Sequence, residues 1–151
     1  MGGKTNLDAK KLYQLMYSRY TDYHQLNNLI WVWSTPEADW YPGHQLVDIM
    51  GYDSYPGSFN YGCRDDIYAK LRGIVSTKKM IQMTENGPIP NMEDCMRTGI
   101  QWGIFMTWNE LTFTQNSLDH IKQVYASPLV KKLNKSGKLR KQSNLRREDD
   151  E

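Results

Sequence analysis

Four places in the chain set chemically competent side chains directly after short apolar runs. In KKMIQMTENGPIP, Glu85 and Asn86 stand between the apolar run and the turn-formers Gly87, Pro88 and Pro90. Asp53, Ser54 and Tyr55 follow LVDIMGY, Trp108, Asn109 and Glu110 follow WGIFMT, and Trp31, Trp33 and Ser34 close LIWVWS. A carboxylate so placed can act as nucleophile, as general acid or as a structural acceptor. A nucleophilic carboxylate must stay ionised and so needs a donor nearby; Tyr55, at a neighbouring run end, is a candidate donor to Glu85. Asp53 is divided between ligand contact and support of its neighbours. Asp48 falls inside its apolar run, where a buried carboxylate needs partners, and a structural acceptor is the expected role.

Other chemistries find less support. His24, His44 and His120 show no metal-ligand spacing with one another or with Cys63 and Cys95, so no metal is expected. No glycine-rich G-x-G-x-x-G follows any apolar run, so no dinucleotide cofactor is expected. The two cysteines either pair with each other or remain two buried thiols; the sequence leaves both open.

The elements that must position these residues alternate along the chain. Residues 7–25 have helical spacing, with Leu12, Leu15, Met16, Arg19 and Tyr23 on one face and Asn6 as the expected N-cap. Residues 29–33 are a continuous apolar run, read as a strand buried on both faces. Further strands are expected over 46–51, 79–84 and 102–107. Helices are expected over 65–76 (Ile67, Leu71, Ile74 and Val75 inward), 91–99 (capped by Asn91) and 116–126 (Leu118, Ile121, Val124 and Tyr125 inward). Strands alternating with helices predict an α/β fold of parallel βα units. A small doubly wound sheet and part of a (β/α)₈ barrel both remain open. In either, ligands bind at the carboxyl ends of the strands, where the four polar and aromatic groups fall.

Composition narrows the partners. A chain of 151 residues is enough for one domain with a core. The formal net charge is only +2 with 24% charged residues, so no nucleic acid or other strongly charged partner is indicated. The basic residues gather after Lys131, in KKLNKSGKLRKQSNLRREDDE, giving a domain over 1–130 and a polar tail over 131–151 expected to be solvated. No run of apolar residues is long enough to span a membrane, and MGGKTNLDAKK has no apolar core of a signal peptide. Five Trp and ten Tyr, several beside Asp, Asn or Glu, suit the faces and hydroxyls of sugar rings, although aromatics also fill cores.

Taken in order, LYQLMYSRYTDYHQLNNLIWVWS, DWYPGHQLVDIMGYDSYPG, KKMIQMTENGPIP and WGIFMTWNE resemble glycoside hydrolase family 26, the β-mannanases, over about residues 2–130. The resemblance implies a partial (β/α)₈ barrel: strands five to eight with their helices, in a parallel sheet. It implies retaining hydrolysis of β-1,4-mannosidic bonds in mannan, galactomannan or glucomannan, and an extracellular setting. Glu85 maps to the nucleophile and Tyr55 to the residue that hydrogen-bonds it. Asp48, Gly51, Asp53 and Tyr55 match the motif D-x-x-G-x-D-x-Y, whose aspartates hold the site, with Asn86 beside the nucleophile. Trp108 maps to the residue that stacks under the sugar, and Trp31 and Trp33 to a W-V-W pattern of which one member faces the cleft. The family's acid/base glutamate, in a His-Glu pair, has no counterpart in this sequence, so the chain alone is expected to be inactive or nearly so. The alternative is a non-catalytic fragment that binds carbohydrate, dimerises or complements an N-terminal half-barrel. A small doubly wound binding domain unrelated to sugars is the third reading.

Overall fold

The structure, a computed structural model, describes residues 5–76 and 78–132; the expected tail, beyond Lys131 and Lys132, lies outside the described residues. Helix α1 spans Asn6–Ser18 and runs on through a π-helical turn, Arg19–Tyr23. Then come β1 (Val32–Trp33), β2 (Ile49–Ser54), α2 (Asp65–Ile74), β3 (Met80–Asn86), α3 (Met92–Arg97) and α4 (Leu118–Ala126). The three strands form a parallel sheet in the order β1-β2-β3. Spatial order follows chain order without the reversal that defines a doubly wound sheet. This is the winding of a barrel, and the sheet with its helices forms a partial (β/α) barrel.

The expected fourth strand, 102–107, is an irregular extended segment rather than a regular strand. It lies beside β3 through Gly103 N–H to Ile81 O, Met83 N–H to Ile104 O and Asn86 N–H to Met106 O. The acceptor for Met83 is Ile104 and not Gly103, so the ladder slips by one residue, and only one parallel bridge, Asn86 to Thr107, survives.

One face of the sheet carries the core. Met50, Tyr68, Leu71, Val75, Ile81, Cys95 and Ile100 are buried together, with Trp33, Tyr52 and Trp102 packed against them. Cys63 and Cys95 form a disulfide that joins the loop before α2 to α3, which settles the pairing the sequence left open. The helical spacing of α2 is met by burial of Leu71 and of Tyr68, which shares its turn. Asn91 caps α3 as expected, accepting from the N–H groups of Glu93 and Asp94.

Four expectations fail in the first part of the chain. The stripe Leu12, Leu15 and Met16 faces outward, with Leu12 59% exposed. The inward face of α1 is instead aromatic: Tyr13 meets Trp31 and Trp33 edge-on at 5.7 and 5.1 Å, and Tyr17 lies 5.0 Å from Trp31. Helical periodicity finds both stripes, but tyrosine rings bury broad apolar bodies and so compete with leucines for the sheet. The N-cap is Thr5, in a reciprocal pair with Asp8, and Asn6 is already helical. Residues 29–33 are not a strand buried on both faces, because Leu29 and Ile30 are exposed and only Val32 and Trp33 pair with β2. Finally, β2 begins three residues later than expected, which brings Asp53 and Ser54 inside the strand.

Candidate active site

The sheet face opposite the core is small and polar. Gly51 and Asp53 on β2 share it with Gln82 and Thr84 on β3, by the period of two that governs strands. The pairing shifts between Tyr52 and Asp53: Tyr52 faces Met83, but Asp53 faces Glu85. Thr84 is therefore the extra residue of a bulge. Without it, Glu85 would alternate onto the helix side with Ile81 and Met83. With it, Thr84 and Glu85 both lie on the polar face, the re-aiming of a side chain that bulges provide beside active sites.

Glu85 is half-buried, and its Oε2 accepts the hydroxyl of Tyr55 at 2.7 Å. That hydrogen bond, followed by desolvation and the charges of Glu85 and Asp53, pushes the Tyr55 phenol up to about 12. Tyr55 stays neutral and donating across the physiological range. Beside this pair, Thr84 donates to Asp53 Oδ1 at 2.6 Å and accepts from Ser34 at 2.8 Å.

The segment after Glu85 is fixed by buried polar groups. Gly87 N–H donates to Ser54 O, and a Cβ on Gly87 would lie 2.0 Å from Gln115 Oε1 and 3.5 Å from the Tyr55 ring. The glycine of the motif Glu-Asn-Gly thus leaves room for the end of the Gln115 side chain. Asn116, only 2% exposed, accepts from Ile89 N–H at 2.7 Å and donates to Gly87 O and Thr112 O at 3.0 Å each. His120 bonds through Nε2 to Ile89 O at 2.7 Å, and since a carbonyl only accepts, Nε2 carries the proton. Its ring stacks on Tyr61 at 3.5 Å. Thr84, Asn116 and His120 were not expected at the site from the sequence, and Ser34 stood there only as the end of an apolar run with no role; single polar residues far apart in the chain carry no periodic signal.

The expected site residues divide. Glu85, Tyr55 and Asp53 come together at the carboxyl ends of β2 and β3. Trp108 stands at the end of the neighbouring segment, half exposed, with its backbone N–H donating to Asn86 O at 2.8 Å. Asn86 is fully buried and donates to Pro88 O and Thr107 Oγ1, so it supports the turn and offers no surface to a sugar. Asp48, Trp31 and Trp33 do not join the group. Asp48 precedes β2 at its amino end, where Oδ2 accepts from Trp31 N–H at 2.8 Å. Trp31 and Trp33, two residues apart in an extended segment, both face Tyr13 on the helix side, while Ser34 takes the polar face. Among the described residues, no three His, Cys, Asp or Glu side chains are grouped to hold a metal ion.

A carboxylate with one neutral donor, on a polar face rimmed by an exposed tryptophan, has the chemistry of a nucleophile or of an acid/base group. Retaining glycoside cleavage uses such a carboxylate, with a second carboxyl about 5–5.5 Å away as acid/base.

The model of "Glycosyl hydrolase family 26" matches residues 2–136. The chain is 37% identical over 133 residues to a mannan endo-1,4-beta-mannosidase of Thermothelomyces thermophilus, covering 85% of this chain and 27% of that protein. It is 34% identical to mannan endo-1,4-beta-mannosidase B of Piromyces sp, over 76% of this chain and 20% of that one. Among solved structures, the Podospora anserina GH26-CBM35 beta-(1,4)-mannanase superposes with a TM-score of 0.76 at 32% identity, over 82% of this chain and 28% of that one. The beta-mannanase from a symbiotic protist of the termite Reticulitermes speratus, complexed with gluco-manno-oligosaccharide, gives 0.74 at 30% identity, over 82% and 39%. The chain thus spans about a quarter of the length of the first of these curated relatives.

Proposed function

The chain belongs to glycosyl hydrolase family 26, and on that premise we propose that it carries the nucleophile side of an endo-β-1,4-mannanase site. Glu85 attacks the anomeric carbon of a mannosyl unit to form a glycosyl ester, and the glycosidic oxygen leaves with a proton supplied by a second carboxyl group. Tyr55 holds the Glu85 carboxylate in place through its hydroxyl. Trp108 offers a stacking face to the sugar, and Asp53 accepts from its hydroxyls. The substrate class is a β-1,4-mannan, galactomannan or glucomannan. The hydrogen bond from Tyr55 to Glu85 at the carboxyl ends of adjacent parallel strands carries this reading.

The carboxyl group opposite Glu85 in the strand pairing is Asp53, whose Oδ1 is taken by the Thr84 hydroxyl, and no glutamate of this sequence matches the family's acid/base His-Glu pair. Residues 1–151 alone are therefore expected to bind oligosaccharide without cleaving natural glycosides, since protonation of the leaving group is worth about 10²–10⁴-fold. A leaving group that needs no proton separates the two halves of the reaction. A 2-deoxy-2-fluoro mannosyl donor with a dinitrophenolate leaving group should label Glu85 covalently, found by peptide mass spectrometry, and Glu85→Gln should remain unlabelled. Labelling at another residue, or none, would refute the assignment.

A second reading concerns assembly. The apolar outer stripe of α1 is exposed, the edge of segment 102–107 away from β3 is unpaired among the described residues, and a groove of about 660 Å³ runs between Trp102, Phe105, Tyr125 and Leu129. None of the residues around Glu85 lines that groove. Open edges of a parallel sheet with an exposed apolar helix face favour closure by further βα units, from a second copy or an N-terminal half-barrel. Light scattering on a size-exclusion column tests this: a stable monomer with unaltered fold counts against it. The Cys63–Cys95 disulfide supports a secreted protein, since such bridges persist in oxidising compartments.

A further inference from the structure

We propose that Ser34 is a sugar-contacting residue whose hydroxyl accepts a hydrogen bond from substrate, its direction imposed through Thr84 by Asp53. The inference rests on the proposed sugar site and adds to it a residue and a polarity.

Ser34 follows β1, Thr84 lies on β3, and β2 runs between them. Strands two places apart in a flat sheet are separated by about 9–10 Å. The two hydroxyls nevertheless meet at 2.8 Å. They do so over Gly51, where a Cβ would lie 2.5 Å from Ser34 Oγ and 2.6 Å from Thr84 Cγ2. A concave face and a residue without a side chain are both needed, so this bond marks the inside of the curved sheet, the face that carries Asp53 and Glu85.

The chain of bonds has one possible direction. A carboxylate oxygen accepts, and Thr84 donates its hydroxyl proton to Asp53 Oδ1. The single hydroxyl proton of Thr84 is then used, and Thr84 can only accept from Ser34. Ser34 thereby spends its own proton, and what remains on its oxygen is acceptor capacity. Ser34 is half-buried, and this oxygen fits a donor such as a hydroxyl of a β-linked pyranose, while a bare carbonyl or carboxylate finds no proton there.

Binding of β-1,4-mannohexaose to the whole chain, read by calorimetry and tryptophan fluorescence, tests this. Ser34→Ala and Thr84→Val should each weaken binding about fivefold, the share of one neutral hydrogen bond. The double variant should be no weaker than either, and Thr84→Ser should restore wild-type affinity. Should Thr84→Val fail to fold, Ser34→Ala together with Thr84→Ser decides. Wild-type affinity in Ser34→Ala, or a double variant weakened by the product of the single effects, would overturn the role of Ser34 and leave the sugar site standing. No binding by the wild-type chain would overturn both.

Discussion

The Tyr55 hydroxyl donates to Glu85 Oε2 at 2.7 Å across 30 positions of sequence. Its phenol is pushed up from 10.0 to about 12, chiefly by that bond. A proton held more tightly in the folded state stabilises the fold fully below the ordinary phenol value, and this contribution is lost as pH rises through the folded value. Titration of phenolate absorbance should therefore show one more tyrosine ionising near 10 in Glu85→Gln than in the wild-type protein. Equal titration curves would show that Glu85 does not hold Tyr55. Tyr13, raised to about 12 by burial and by Asp48, is unaffected by this substitution and serves as an internal reference.

Gly51 has no room for a methyl group, with Ser34 Oγ and Thr84 Cγ2 both within 2.6 Å of an added Cβ. Gly51→Ala should cost about 1–3 kcal/mol in a chemical denaturation midpoint, the usual range for overpacking. It should also separate Ser34 from Thr84 and weaken oligosaccharide binding as Ser34→Ala does.

With one buried amide, Asn116 satisfies the Ile89 N–H and the Gly87 carbonyl of the segment after Glu85 and the Thr112 carbonyl of the loop before α4. Asn116→Ala leaves those groups unpaired and should destabilise the fold by about 3 kcal/mol. The same substitution should loosen the turn after Glu85, seen as faster amide exchange at Ile89.

The disulfide between Cys63 and Cys95 closes a loop with a sequence separation of 32. Chain-entropy reasoning assigns a loop of this length about 3–4 kcal/mol. Reduction, or Cys63→Ser with Cys95→Ser, should lower the unfolding free energy by about that amount. An unchanged midpoint would show that the bridge contributes nothing to stability.

Period and composition alone determined the alternation of parallel strands with helices, since βα units leave a regular pattern of short apolar runs, helical stripes and turn-formers. They also drew attention to Glu85, Tyr55, Asp53 and Trp108, because each falls at the end of such a run. The motif order carried the family resemblance. Faces were not legible in the same way. The stripe Leu12, Leu15 and Met16 and the stripe with Tyr13 and Tyr17 are equally helical, and only the aromatic surface of Trp31 and Trp33 decides which one turns inward. A bulge shifts register by one residue without any mark in the local pattern, so only the paired strands could place Thr84 and Glu85 on the same face. Asp48, Trp31 and Trp33 matched a site by motif yet lie at the amino end of the strands or on the helix side. Ser34, Thr84 and Asp53 form one hydrogen-bonded line over Gly51 through contacts 31 and 50 residues apart, which exist only once the sheet has curved.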